Sequence, residues 1–287
     1  MISDITLGQY FPGKSPIHSL DPRTKLILAV LYITGVFVSN NPISFIILTT
    51  VTLTLIFMSG ISFKTLWKSI KPILVILIFT AAINVFMTVG EGDPLINLGF
   101  TKIYTEGIVK AFFMAYRVAI VIMGTSILLT YTTTPISLTD GIESLLAPLK
   151  RINVPVHAFA MMMSIALRFI PTLVEETEKI MNAQKSRGAD FSNGTLVQRA
   201  KALIPILIPL FASSFKRAEE LATAMECRCY RGDSNRTKLV ELEYKTMDYL
   251  WLAISLVVMV GIILLAILPY NHSVDNLIYN IIFYRIV

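Results

Sequence analysis

Charge is what this chain has least of. Only 15% of its 287 residues are Asp, Glu, Lys or Arg, against 54% apolar, where a soluble domain usually carries about 25% charged residues. The shortage is concentrated: residues 26–63, 72–90, 118–139 and 249–270 contain no charged side chain at all. Mean hydropathy is +0.67. Cysteine is almost missing as well. Cys227 and Cys229 are the only two, and with no second pair to match their CxC spacing they argue against a structural zinc site or a disulfide framework. No GxxxxGK[ST] phosphate loop, HExxH or nucleophile motif occurs, so the chain has no nucleotide cradle of its own. The first 25 residues lack the basic start, apolar middle and small-residue cleavage pattern of a secretory signal.

What is present is a set of charge-free runs long enough to cross a bilayer, each crossing needing roughly 20 apolar residues. The run 26–63 accommodates two short spans with Ser39-Asn40-Asn41-Pro42 as the turn between them. Further spans are expected at 72–90, about 108–130 and about 247–268. Basic loops stay in the cytoplasm. Lys14, Arg23 and Lys25 before the first span, and Lys64, Lys68 and Lys71 in the next loop, therefore place the N-terminus inside. Five spans then leave the C-terminal tail outside. The segment 136–246 holds 15 Lys and Arg against 12 Asp and Glu, too much charge for a bundle of spans, and is assigned to the cytoplasm. The expected organisation is an N-terminal segment 1–25, four spans within 26–134, a cytoplasmic domain 135–246, and a last span with its tail, 247–287: an all-α integral membrane protein.

The cytoplasmic segment has a repeated plan. Gly141–Leu149 reads as a short amphipathic helix at the membrane surface. Val154-Pro155 then suits a helix start, and the stretch that follows is apolar through Met161, Met162, Ile165, Phe169 and Pro171 before turning to Glu175, Glu176, Glu178 and Lys179. A second unit, 195–231, is apolar over 202–211, including Leu207 and Phe211, and charged from Lys216 on. Each unit predicts a helix of about 30 residues, or roughly 45 Å, with interior prolines expected to kink it. Laid side by side, the apolar halves would pack beneath the spans and the charged ends would project toward a partner. The units close in Ser186-Arg187-Gly188 and Tyr230-Arg231-Gly232. Arginine offers a rigid fork of donors suited to carboxylates at an interface, while a glycine after it lets a helix end in a left-handed turn. The same pattern also describes an ordinary C-terminal cap beside the helix dipole, and both readings stay open on these residues alone.

These motifs, with the opening Gly8-Gln9-Tyr10-Phe11-Pro12-Gly13 and Leu20-Asp21-Pro22-Arg23-Thr24-Lys25, resemble the transmembrane T component of energy-coupling factor transporters, over nearly the whole chain. The resemblance implies a non-catalytic coupling subunit of an ATP-binding cassette importer for micronutrients, vitamins or metal ions. It would join two ATPase subunits (EcfA- and EcfA′-like) and a membrane-embedded substrate-binding S component, 1:1:1:1, in the bacterial plasma membrane. ATP and Mg would be held by the ATPases, with no cofactor or metal on this chain and no nucleic-acid partner. Arg187, Gly188, Arg231 and Gly232, with Ser186, Tyr230 and Gln184, would dock the ATPases. Ser186 and Tyr230 stand where the family commonly has Ala. Met161, Met162, Ile165, Phe169, Leu207 and Phe211 would face the S component, and Pro12, Gly13, Leu20, Asp21, Pro22 and Arg23 carry the N-terminal pattern. A stand-alone secondary transporter or channel is the alternative. It would want ionisable groups near the midplane, and the spans offer only Arg117, for which a functional role and snorkelling or pairing with a loop carboxylate are both open. A membrane enzyme built on His18, His157 or His272 has no motif behind it.

Overall fold

The computed structural model describes residues 10–88, 96–97, 102–152, 154–189, 191, 195–230, 232 and 242–267. Among them nine α-helices form: α1 (Pro22–Val38), α2 (Pro42–Ser59), α3 (Phe63–Ile70), α4 (Leu74–Met87), α5 (Thr105–Thr125), α6 (Pro135–Leu146), α7 (Val156–Ser186), α8 (Leu196–Cys227) and α9 (Thr246–Ile267). A π-helical turn (Ser126–Tyr131) continues α5 and a 3-10 turn (Ala147–Ile152) continues α6. A two-residue β ladder places Ile96 opposite Ile103 and Asn97 opposite Lys102. The protein is all-α in class. It divides into two compact units, an arm unit over Pro135–Glu241 and a bundle unit over Tyr10–Thr134 with the chain from Leu242 on.

Local chemistry sets the helix ends in the bundle. Asp21 caps α1, its carboxylate accepting from the Arg23 N–H at 2.8 Å, with Pro22 in the first turn, where its missing N–H costs nothing. Pro42 opens α2 in the same way, and Gly60 closes it at φ 68°. The turn expected at 39–42 therefore falls where the sequence places it. The charge-free run 72–90 yields a helix too short to span alone, and the lysine-bearing loop before it is itself helical. α3 and α4 are bent by 60° at a short break, where Pro72 has no N–H to give a continuing helix. α4 itself has only 14 residues.

Four described helices are long and apolar enough to cross a membrane, five if the bent pair counts as one span. Membership differs from the expected five. α1, at 17 residues, falls just short, and α7 qualifies, because its half before Glu175 carries Arg168 as its single Asp, Glu, Lys or Arg. The bundle core centres on two groups, one around Ile17, Leu28, Leu66, Ile127, Leu128 and Tyr131 and one around Tyr32, Val36, Leu48, Ile120 and Ile262. The Tyr32 hydroxyl donates to the Ile120 carbonyl at 3.0 Å and lies 2.7 Å from the Thr52 hydroxyl, so one ring ties α1, α2 and α5. That ring lies against Gly124, where a Cβ would come within 2.3 Å of it.

Candidate functional site

In the arm unit, α7 has 31 residues and α8 has 32. Thr195 and Gln198 form a reciprocal capping box at the start of α8. Pro171, Pro205 and Pro209 lie inside continuous helices. The preceding short helix begins at Pro135, earlier than expected, and is held to α7 by a 2.8 Å contact from His157 Nδ1 to Glu143 Oε1.

Contacts along the two long helices run in opposite senses. Glu176 of α7 pairs with Arg217 of α8 at 2.9 Å. Met161, Ile165, Arg168 and Phe169 share one groove with Leu221, Met225, Arg228 and Tyr230. Low numbers on α7 thus meet high numbers on α8, and the pair is an antiparallel hairpin. This corrects the expectation that both charged ends project together: the short connection between Ser186 and Leu196 returns the chain along its own path. The C-terminal cap of α8 lies beside Arg168. The cap of α7 is 19 residues further along that helix, or about 30 Å at 1.5 Å per residue.

Both helices end in the same backbone motif. On α7, Arg187 is the cap residue and Gly188 follows at φ 88°. The Gly188 N–H donates to the Lys185 carbonyl at 2.9 Å and the Ala189 N–H to the Gln184 carbonyl at 3.0 Å. This pair of bonds is the Schellman closure. On α8 the cap residue is Arg228, followed by Cys229 at φ 58°. Here Cys229 N–H donates to Glu226 at 2.9 Å and Tyr230 N–H to Met225 at 3.0 Å. Arg228 is therefore the counterpart of Arg187, Cys229 of Gly188 and Met225 of Gln184. The helix ends at Cys227, earlier than the expected Arg231. Gly232 does adopt a left-handed conformation, φ 78°, but in a later turn, and Arg231 lies outside the described residues. A cysteine in the left-handed position hid this cap from a search for Arg-Gly. Arg187 and Arg228 are exposed and have no side-chain partner among the described residues. Ser186 is exposed too, its hydroxyl turned back to the Asn182 carbonyl at 3.1 Å. Tyr230 is half-buried.

The apolar residues singled out on the arms fall into two sets. Met161, Ile165 and Phe169 floor the groove of about 640 Å³, beside the guanidinium-bearing Arg168 and Arg228. Met162, Leu207 and Phe211 are instead exposed, at 57%, 45% and 61%. Leu207 and Phe211 continue into an exposed α8 stripe with Leu203, Ile204, Ile208 and Phe215. One surface thus joins cations to an apolar floor, as suits an acidic, partly apolar partner, and the other is apolar throughout.

The N-terminal motif does its work inside the bundle. Asp248, fully buried in the first turn of α9, accepts from the Asp21 N–H at 2.9 Å and the Lys245 N–H at 2.8 Å. Lys25, 2% exposed, donates to the Thr132 carbonyl at 2.7 Å and the His18 carbonyl at 3.3 Å. Arg23 donates to the Leu242 carbonyl at 3.0 Å and lies over the Tyr244 ring. Leu20 is buried. Gly13, after the exposed Pro12, leaves room for the His18 ring, which a Cβ there would meet at 2.9 Å. His18 contacts the Phe11 carbonyl through Nε2 at 2.9 Å and the Ser15 hydroxyl through Nδ1 at 2.6 Å. These residues clamp three stretches of chain, 11–25, 131–132 and 242–248. Asp248, the hub, was not singled out by the sequence, because its partner lies 227 positions away. His272 lies outside the described residues. Arg117 bonds to the Ser39 carbonyl and the Asn40 side chain and lies over the Phe45 ring.

Comparison with known proteins gives this geometry its family. Residues 13–239 match the CbiQ family, described as a cobalt transport protein. The chain is 52% identical to the energy-coupling factor transporter transmembrane protein EcfT of Clostridium kluyveri over 250 residues, 87% of this chain and 92% of that one. Identity is again 52% to EcfT of Ruminiclostridium cellulolyticum, over 92% of this chain and 98% of the relative. It is 48% to EcfT of Bacillus subtilis, over 86% and 93%. With its apolar helices and paired arms, the chain is a multi-pass membrane protein that belongs to the CbiQ family, as a transmembrane component of energy-coupling factor transporters.

Proposed function

We propose that this chain couples ATP hydrolysis on two cytoplasmic ATPase subunits to a membrane-embedded S component that captures a vitamin or metal ion, in a 1:1:1:1 assembly. The observation that carries the reading is the antiparallel hairpin with an exposed, unpaired arginine capping each opposite end, Arg187 and Arg228. About 30 Å of helix between them allots one arginine to each ATPase. The Schellman closures fix the backbone from which each arginine projects, and the planar guanidinium fork suits bidentate pairing with a carboxylate. Arg231 and Gly232 are assigned to the same docking site as Arg228 on the sequence pattern. Because each arm is one continuous helix, a displacement of either ATPase moves its whole length, including the exposed stripe Leu203, Leu207 and Phe211 on which the S component rests. ATP and Mg stay on the ATPases. The arms face the cytoplasm of a bacterium, with the N-terminus on the same side and the C-terminus opposite.

The test is co-purification of the ATPases with the full chain carrying Arg187→Glu, Arg228→Glu or both. The expected result is partial loss for each single variant and complete loss for the pair, with the melting midpoint of the membrane protein unchanged. Arg231→Glu, measured in parallel, decides which arginine carries that docking site. Retention of a transport-competent complex by the double variant would overturn the assignment and leave both residues as helix caps.

A further inference from the structure

Away from the arms, two cations of the bundle unit share one recess. Lys110 and Arg117 lie two turns apart on α5 and line the same cavity of about 480 Å³, together with Asn40 from the α1–α2 turn, Phe45 on α2, Asn84 on α4 and Phe113. None of its lining residues is a carboxylate. The Arg117 fork is held in place from two directions. One Nη donates to the Ser39 carbonyl and to Asn40 Oδ1, and the guanidinium carbon lies 5.5 Å from the centre of the Phe45 ring. Its Nε is buried without a partner. Lys110 is exposed and has no ionic partner among the described side chains.

Two cations with no carboxylate partner among the described side chains, on a stretch from Gly107 to Tyr131 that is otherwise apolar and long enough to span a bilayer, are costly unless an anion meets them. The surface around the recess is apolar: Met114, which lines it, is 46% exposed and the neighbouring Phe112 is 64% exposed. The donors on offer are an ammonium, a guanidinium edge and the Asn40 and Asn84 amides. Together they suit a tetrahedral oxyanion with several acceptor oxygens. We infer that this recess is a phosphate-binding site, filled by the headgroup of an anionic phospholipid or by free phosphate. The oxyanion is the shared chemistry, and the exposed apolar side chains beside it give acyl chains a surface to lie on.

The experiment uses the full chain purified in a neutral detergent. Its thermal midpoint is followed while phosphatidylglycerol, phosphatidylcholine or inorganic phosphate is added to the wild type, to Lys110→Gln, and to Lys68→Gln as a remote exposed cation. The expected result is a saturable rise with phosphatidylglycerol in the wild type and in Lys68→Gln. In Lys110→Gln the apparent affinity falls about fivefold, the effect of one basic residue near an anionic lipid surface. Phosphatidylcholine gives no such rise. Protection by inorganic phosphate that Lys110→Gln loses would support the same site with free phosphate as its occupant. If Lys110→Gln responds like the wild type, if both lysine variants lose the response equally, or if no additive raises the midpoint, the proposal is overturned.

Discussion

The two units spend their charged residues in opposite ways. At the bundle's N-terminal clamp, charge is turned inward. Asp248 and Lys25 are buried and Arg23 is drawn down against Leu242 and Tyr244. In the arms it is turned outward: Arg187 and Arg228 are exposed, and the buried residues of α7 are Val156 and Ala160 alone. A buried charge with its partners in place fixes one arrangement of distant chain segments, and removing a partner is expensive. An exposed, rigidly capped charge contributes little to its own fold and is free to pair with another molecule. The bundle is built to hold a shape and the arms to offer one.

The sharpest way to break the comparison is at Asp248. Replacing it with alanine strands two N–H donors and leaves Lys25 near a single carboxylate, so the bundle should lose about 3–5 kcal/mol, read as a steep fall in melting midpoint and in yield from the membrane. A merely local effect, below 1 kcal/mol, would show that the clamp is not what holds the three segments. Next is Gly124→Ala. The added methyl collides with Tyr32, and overpacking of this kind costs about 1–3 kcal/mol. The midpoint should drop while ATPase co-purification at low temperature persists, separating bundle stability from docking. The smallest effect is expected at the α8 cap. Cys229 holds a left-handed backbone that glycine adopts freely, so Cys229→Gly should stabilise the closure by about 1 kcal/mol. Slower hydrogen exchange at the Tyr230 amide would record it, with no change in the bundle's melting. Faster exchange would show that the cysteine side chain, and not the backbone turn, secures the cap.

Much of this was legible beforehand. The turn at Ser39–Pro42, the lengths of the two arms and the left-handed glycine at 188 all follow from signals within a few residues: Pro at a first turn, Gly past a last one, and runs without charge. The N-terminal motif was legible as a pattern but not as a clamp, because the meaning of Asp21 and Lys25 depends on Asp248 and Thr132, far away in the chain. The break at Pro72 was legible, and it falls where the expected span begins, but the lysines at 64, 68 and 71 read as a loop when only charge is weighed, which hid the helix α3 before it. The split of the apolar arm residues between a groove floor and an exposed stripe was not legible, since it depends on which face of each helix its neighbour covers.

An all-α membrane protein with two long amphipathic arms was settled locally, because hydrophobic length and helix-end chemistry are properties that no later contact reverses. Tertiary structure alone decided three things. The arms run antiparallel, so their capping arginines stand at opposite ends. The second cap falls on Arg228, because the backbone closes over a left-handed cysteine before it reaches the glycine. A buried carboxylate on the last helix organises the motif on the first. Each depends on groups distant in sequence, or on a conformation that residue identity only biases, and packing settles what local preference leaves open.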